Sequence, residues 1–153
     1  MTVSPIYASA LKTIQTEEAG LAALEEALHG PLGDAFAKAV EKILHSSGRV
    51  IVSGMGKSGH IGRKIAATLA STGTPAHFVH PSEASHGDLG MIQDDDVILA
   101  MSWSGESSEL ADLVAYANRF HVTLIALTSN AESALGKGAD ICLTLPKAKE
   151  ACP

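Results

Sequence analysis

The feature that most constrains the fold is an alternation between short runs rich in β-branched residues and longer stretches of helical periodicity. Five runs have the composition of buried strands, namely 49–53, 76–79, 97–102, 123–128 and 141–145. Helical stretches lie between them at 59–72, 106–120 and 133–137. This alternation predicts a doubly wound α/β fold, in which a parallel sheet of about five strands is covered by helices.

Two further helical stretches precede the first predicted strand. Residues 4–28 carry apolar side chains at spacings of three, four and seven, and residues 34–45 repeat the pattern after the break at 30–33. We assign 1–46 to the N-terminal helical part of one domain that spans 1–153. A helix outside the sheet must bury its apolar stripe, so these helices either pack on their own domain or contact another subunit.

Composition narrows the choice of partners. The 153 residues suffice for one domain with a sizeable core. A net charge of −6 without a Lys/Arg cluster argues against nucleic-acid binding, and weakly against anionic membranes. With no membrane-length apolar run and no signal sequence, we expect a cytoplasmic protein. Two cysteines are too few for a disulfide or metal framework, so we interpret Cys142 as a buried thiol and Cys152 as incidental.

The loop after the first predicted strand has the composition of a phosphate cradle. Residues 53–60 read Ser-Gly-Met-Gly-Lys-Ser-Gly-His and lead into a predicted helix. Its glycines, Gly56 among them, permit a tight turn and close approach of an anion to the backbone. The helix N-terminus offers free N–H groups and a positive dipole end. Ser58 adds a hydroxyl donor, and Lys57 adds a movable positive charge.

Two nucleotide-binding motifs overlap this loop. Gly56-Lys57-Ser58 resembles the end of a Walker A loop, but Ile51 occupies the position where that motif requires a glycine. Gly54-x-Gly56-x-x-Gly59 matches the dinucleotide fingerprint, but the second predicted strand ends in Phe78-Val79-His80-Pro81, without the acidic residue that would hold the ribose. A nucleotide-binding oxidoreductase fragment is therefore kept as a runner-up.

A serine-rich segment follows the third predicted strand. Residues 102–109 read Ser-Trp-Ser-Gly-Glu-Ser-Ser-Glu, and helix capping would use one or two of these serines. The others remain as hydrogen-bond donors. Ligands of open α/β sheets bind at the carboxyl ends of the strands, so this segment and the first loop can share one ligand. We predict an anion site between them.

The segment 80–90 lies between these two loops along the chain and is polar and punctuated by glycines. It contains two histidines and two carboxylates, but their spacing fits no standard zinc motif, and we predict no metal. His86 is a better candidate for proton transfer or for binding a substrate hydroxyl.

Together these segments resemble the sugar isomerase (SIS) domain, and more narrowly the D-arabinose 5-phosphate isomerases. The resemblance rests on Gly56–His60, Ser102–Glu109 and Glu83–Met91, and it extends from roughly the first helix through Pro146–Pro153. It implies interconversion of D-ribulose 5-phosphate and D-arabinose 5-phosphate through an enediol. In this family D-arabinose 5-phosphate feeds the synthesis of Kdo, a lipopolysaccharide sugar. Related members serve capsule or sugar-alcohol metabolism. It also implies a homo-oligomer, usually a tetramer, that needs no metal or other cofactor.

The resemblance assigns roles by position. It implies that the phosphate is bound by Gly56, Ser58, Ser102, Ser104 and Ser107. It also implies that substrate binding and catalysis use Lys57, His86, Glu109 and Glu150. An enediol reaction needs a carboxylate that removes and returns a proton, so either glutamate is a candidate base. It also needs donors for the developing oxyanion, for which the lysine and the histidine are candidates.

Two features depart from the family pattern. Trp103 stands where the family usually has a small polar residue, often Asn, so it either crowds the site or stacks on a sugar face. The family continues past the position of Pro153 into a further helix and a Ser-His-Pro-Gly-Gly segment with a catalytic histidine, and often into a pair of CBS domains. We therefore expect this chain to be the SIS portion of a longer protein. Without that histidine it is expected to bind the sugar phosphate while isomerising it poorly or not at all.

One other function stays open besides the nucleotide-binding one. SIS domains act as non-catalytic phosphosugar sensors in some transcription regulators, although no helix-turn-helix segment is evident in this sequence. Turnover of a sugar phosphate separates an isomerase from a sensor.

Overall fold

The computed structural model describes residues 4–151, and these form one parallel sheet between two layers of helices. The strands are β1 (Val50–Gly54), β2 (Ala76–Phe78), β3 (Val97–Met101), β4 (Thr123–Thr128) and β5 (Ile141–Thr144). The helices are α1 (Pro5–Leu28), α2 (Pro31–Leu44), α3 (Lys57–Ser71), α4 (Pro81–Ser85), α5 (Ala111–Phe120) and α6 (Ala134–Gly138). Two 3₁₀ turns lie at Asp88–Met91 and Ser108–Leu110.

The sheet has the order β2-β1-β3-β4-β5, and every neighbouring pair is parallel. The chain therefore runs from β1 towards one edge and from β3 towards the other. Cores lie on both faces of the sheet, which confirms the doubly wound fold.

Alternate residues of the central strands supply the two cores. Ile51 and Ile98 pack on one face with Leu113 of α5 and are 0% exposed. On the other face Val52 packs with Ala66 of α3. Fully burying a side chain of this size contributes about 1.5–3 kcal/mol. The central strands are therefore rigid supports for the loops at their carboxyl ends.

The structure confirms the predicted strands with ends that differ by at most one residue, but it corrects two other predictions. The helix expected over 106–120 begins as the 3₁₀ turn Ser108–Leu110 and becomes α-helical only at Ala111. Helix α2 begins at Pro31 instead of residue 34, because proline is favoured at the first helical position. The segment 80–90, for which no helix was predicted, contains α4 and a 3₁₀ turn.

Helix α1 leaves its apolar stripe uncovered. It packs on α2, and none of its described residues is buried. Its exposed large apolar side chains include Tyr7, Ile14 and Leu21, which are 58%, 62% and 68% exposed. The described residues of this domain therefore do not bury the stripe.

The structure also tests the expectations about membrane spans and cysteines. Within residues 4–151, no helix combines the length and the hydropathy needed to cross a membrane. Cys142 is half-buried with its sulfur 3.5 Å from Thr144 Oγ1, so the prediction of a buried thiol was wrong. Cys152 lies outside the described residues.

An ion pair between a half-buried arginine and a fully buried aspartate ties together the amino ends of the central strands. Arg49 Nη2 lies 2.7 Å from Asp96 Oδ2, and the Asp96 side chain is fully buried. Asp96 also accepts hydrogen bonds from the backbone N–H groups of Arg49 and Gln93, at 2.7 and 2.9 Å. Burial acts to raise the pKa of the Asp96 carboxyl, but the Arg49 side chain and these backbone donors outweigh it and hold that pKa below its ordinary value.

We predict that Asp96→Asn lowers the free energy of unfolding by roughly 2 kcal/mol, because it replaces a buried carboxylate with a neutral amide and weakens its charged hydrogen bonds with Arg49. A carboxyl with a depressed folded pKa stabilises the fold above its unfolded pKa of about 3.9 and loses this contribution as pH falls through the folded value. Urea titrations between pH 3 and 7 measure both effects, and the variant should show a weaker loss of stability at low pH.

The exposed pair Lys137–Glu132, with side chains 64% and 81% exposed, supplies the matched control. Glu132→Gln should change the unfolding free energy by less than about 0.5 kcal/mol. Equal effects of the two substitutions would contradict a special role for Asp96.

Candidate functional site

The connection between β1 and α3 is a tight turn. Gly56 caps α3 with φ +57°, a conformation that favours glycine. A Cβ on Gly59 would come within 2.6 Å of Gly54 O, so the backbone here has no room for a side chain. Lys57 is exposed and Ser58 half-buried on the first turn of a 15-residue helix. First-turn N–H groups lack partners within the helix, which makes this end suited to an anion.

The serine loop, residues 102–108, is held together by its own hydroxyls. Ser102 is 5% exposed, and its Oγ lies 2.8 Å from Ser107 Oγ and accepts the N–H of Gly105 at 3.1 Å. Ser104 Oγ accepts the N–H of Glu106 at 3.2 Å. A hydroxyl that accepts keeps its proton. The loop therefore still offers the Ser104 proton and one proton of the Ser102–Ser107 pair to a ligand.

The loop after β4 holds the serine loop in place through hydrogen bonds. Trp103 O accepts hydrogen bonds from Ser129 N at 3.0 Å, Ser129 Oγ at 2.8 Å and Thr128 Oγ1 at 3.2 Å. Glu106 Oε1 accepts the N–H of Ala134 at 3.1 Å. Gly105 has φ +72°. The serine loop is therefore preorganised before any ligand arrives.

Glycine at position 105 also permits the close approach of α6. A Cβ at that position would collide with Ser133 Oγ, which accepts the N–H of Gly136 and begins α6. The serine loop and the start of α6 thus occupy adjoining space with no side chain between them.

Sequence reasoning missed the role of the loop after β4. Its signal is the polar run Thr128-Ser129-Asn130 directly after an apolar strand. It also missed Ser53, which is 0% exposed and whose Oγ has no hydrogen-bond partner among residues 4–151. Both lie where the strands of the sheet end.

Strand order brings the first loop and the serine loop together. Gly54, the last residue of β1, pairs with Met101, the last residue of β3. These two strands flank the point where the chain reverses direction across the sheet, which is the position where open α/β sheets bind ligands. The two loops therefore follow strands whose last residues lie side by side, as the sequence predicted for this edge of the sheet.

The segment 81–91 packs beside the serine loop. Helix α4 contacts the 3₁₀ turn Ser108–Leu110 and α5, and Ala84 and Leu110 share one core. His86 ends α4 and is exposed. The far end of the segment is tied down by Arg49 Nη2, which donates to Met91 O at 2.7 Å. Within residues 4–151, no group of three His, Cys, Asp or Glu side chains is arranged to hold a metal ion.

The two candidate bases lie in different places. Glu109 is exposed on the 3₁₀ turn after the serine loop, and its Oε2 accepts from Ser108 Oγ at 3.3 Å. Glu150 follows β5, the edge strand that β3 and β4 separate from β1. Its neighbours Lys147, Ala148 and Lys149 line a surface cavity of about 390 Å³ against α1. Glu109 thus comes directly after the serine loop, whereas Glu150 comes after the edge strand β5.

Known proteins share this architecture. The structure of E. coli CFT073 c3406 in complex with A5P superposes with a TM-score of 0.86 and 38% identity, over 99% of this chain and 78% of that one. A putative sugar-phosphate isomerase from Listeria monocytogenes superposes with a TM-score of 0.90 and 32% identity, over 100% and 78%.

Sequence relatives agree with the structural ones. The arabinose 5-phosphate isomerase KdsD of Pseudomonas aeruginosa is 52% identical over 145 residues, which is 95% of this chain and 43% of the relative. KdsD of Yersinia pestis is 53% identical over 142 residues, or 93% and 42%. This chain thus spans about two fifths of the length of these curated relatives. The sequence model of the SIS domain family matches residues 43–152. The chain therefore belongs to the SIS domain family.

Proposed function

We propose that this chain is the SIS portion of an aldose–ketose isomerase that interconverts D-ribulose 5-phosphate and D-arabinose 5-phosphate. The observation that carries the proposal is that the N-terminus of α3, with Lys57, and the preorganised hydroxyls of the serine loop follow two strands that end side by side. The names of the relatives and of the neighbour that binds A5P support the choice of substrate.

In this proposal the phosphate anchors the substrate. Its oxygens accept from the first-turn N–H groups of α3, from Ser58 Oγ, and from the protons that Ser104 and the Ser102–Ser107 pair retain. Hydrogen bonds to a charged group are worth about 1.5–3 kcal/mol each. Because the donors are already in position, little ordering is needed on binding.

The proton transfer is assigned to Glu109. Its carboxylate removes the proton from C2 of the open-chain aldose, and the C–H electron pair forms the C1–C2 double bond of the enediol while the C1 oxygen takes up negative charge. Lys57 stabilises this oxyanion, and His86 moves a proton from the C2 oxygen to the C1 oxygen. Glu109 then returns its proton to C1, which leaves a ketone at C2. Its position directly after the serine loop supports Glu109 over Glu150, which follows the edge strand β5.

Strand order weighs against the nucleotide-binding alternative. Dinucleotide-binding domains have the order 3-2-1-4-5-6 and an acidic residue at the end of the second strand. This sheet has the order 2-1-3-4-5, and β2 ends at Phe78, with His80 capping α4. We therefore expect no change in NADH fluorescence on mixing with the protein.

The proposal extends to assembly and location. The exposed stripe of α1, defined by Tyr7, Ile14, Leu21 and Leu28 at intervals of seven residues, would join copies of the chain, with a tetramer as the expected assembly. The cytoplasm is the expected location of the protein. The two pentose phosphates are doubly charged and do not cross membranes unaided, so the enzyme must be in the compartment that holds them. Kdo and lipopolysaccharide synthesis is the expected pathway.

Turnover tests the assignment of the base. Phosphorus NMR of the protein with D-arabinose 5-phosphate, followed over hours, should show a slowly growing D-ribulose 5-phosphate signal. Glu109→Gln should slow its appearance at least about 100-fold, because the amide cannot take up the C2 proton. Glu150→Gln is the matched control and should retain most of the rate. Loss in Glu150→Gln with retention in Glu109→Gln would reverse the assignment, and binding without turnover in the unaltered chain would limit this chain to phosphosugar binding.

Binding tests the phosphate cradle separately from catalysis. Ser107→Ala should weaken the affinity for D-arabinose 5-phosphate about tenfold, the loss of one hydrogen bond to a charged group. The loop should survive, since Ser102 Oγ still accepts from Gly105 N. Calorimetric titration measures the change. Ser71→Ala is the control, because Ser71 Oγ donates to Thr68 O at the far end of α3. Equal affinities of the Ser107→Ala variant and the unaltered chain would remove this loop from the phosphate site.

Self-association tests the α1 stripe. Leu21→Glu should lower the association constant at least about 100-fold, because it would bury an unpaired carboxylate between subunits. Gln15→Glu adds the same charge on the polar flank of α1 and should leave assembly unchanged. Sedimentation velocity gives the masses of both variants. A monomeric unaltered chain, or a Leu21→Glu assembly of unchanged mass, would overturn this part of the proposal.

A further inference from the structure

Trp103 stands between two of the candidate phosphate ligands. It follows Ser102 and precedes Ser104, so its Cα lies about 3.8 Å along the chain from each of theirs. It is the chain's single tryptophan. Its indole is 48% exposed at the carboxyl end of β3. An apolar ring thus lies beside the proposed phosphate site, where the rest of a phosphosugar must continue.

The main chain of Trp103 is fixed while its ring remains accessible. Three donors converge on its carbonyl oxygen, Ser129 N, Ser129 Oγ and Thr128 Oγ1, at 3.0, 2.8 and 3.2 Å. With the backbone held, the ring is limited to a few rotamers. A tryptophan side chain has only two χ angles to order, so it offers a large contact area at a low entropy cost.

The geometry argues against the crowding alternative. The Ser102–Ser107 hydrogen bond forms at 2.8 Å with Trp103 in place, and Trp103 itself is half-exposed. A ring exposed to this degree retains an apolar face and an N–H group that a ligand of the neighbouring serines can contact.

We propose that Trp103 contacts the carbon chain of the bound phosphosugar and determines which phosphate esters the site prefers. The inference rests on the function proposed above, because it takes the serine loop as the anchor of the phosphate. Carbon-bound hydrogens of the sugar lie against the ring, and the indole N–H donates to a hydroxyl. The site then binds a sugar phosphate more tightly than inorganic phosphate. The serine hydroxyls and the N–H groups of α3 contact only the phosphate and do not distinguish the two ligands.

The test compares two ligands across matched variants. Calorimetric titrations of D-arabinose 5-phosphate and of inorganic phosphate are made with the unaltered chain and with Trp103→Phe, Trp103→Asn and Phe120→Asn. Loss of an aromatic contact predicts a roughly fivefold weaker binding of the sugar phosphate by Trp103→Asn. Its affinity for inorganic phosphate should stay within twofold, and Trp103→Phe should remain close to the unaltered chain. Phe120 is 50% exposed on α5 and serves as the remote aromatic control.

Tryptophan emission supplies a second readout in the unaltered chain. The sugar phosphate should shift or quench the signal, and saturating inorganic phosphate should not. Equal weakening of both ligands in Trp103→Asn would make Trp103 a support of the loop and overturn the proposal, as would unchanged affinity for both. If the unaltered chain binds inorganic phosphate but shows no preference for the sugar phosphate, the proposed function fails as well, and that result appears before any variant is made.

Discussion

The parallel pairing of β1 with β3 is the constraint on which the rest of this molecule depends. Because the two strands run in the same direction, Gly54 and Met101 end side by side, and the chain leaves each strand on the same side of the sheet. The helices that follow turn towards opposite edges, and this is the point of an open α/β sheet at which ligands bind. The Arg49–Asp96 pair at the other end of these strands and the apolar cores on both faces hold the register that aligns the two loops.

The proposed phosphate site is built from groups that already have partners. The Ser102 and Ser107 hydroxyls bond to each other, and Ser104 Oγ accepts from Glu106 N. These bonds orient the hydroxyls without using all of their protons. An anion would therefore meet donors whose positions were fixed during folding, so the entropy of ordering them is not lost on binding. Gly105 makes this possible, because any side chain there would collide with Ser133 and separate the serine loop from α6.

Sequence patterns predict the fold closely and the site in part. Runs of β-branched residues indicate strands that are buried on both faces of a sheet. The ends of the five predicted strands were accordingly correct within one residue. The glycines and serines of the two loops were identifiable because those residue types suit sharp turns and anions. The support from Ser129 to Trp103 O was not foreseen, since it joins residues 26 apart in sequence through a main-chain carbonyl that carries no side-chain signal. The separation of Glu109 from Glu150 follows only from the strand order, which periodicity does not encode.

Two of the candidate phosphate ligands are shielded from water. Ser102 and Ser107 are buried or half-buried, whereas the catalytic candidates Lys57, His86 and Glu109 are exposed, as are Gly56 and Ser104. Fixed, partly dry donors suit the recognition of a phosphate, whose charge is the same at every stage of the reaction. Enediol chemistry places new charge on a carbonyl oxygen, and oriented donors stabilise it best where water is excluded. In the proposed function, the exposed groups would gain catalytic strength when the substrate itself, or a surface packed over them, displaces water. The proposed contact between Trp103 and the sugar would exclude water from one side of it while the serine loop holds the phosphate.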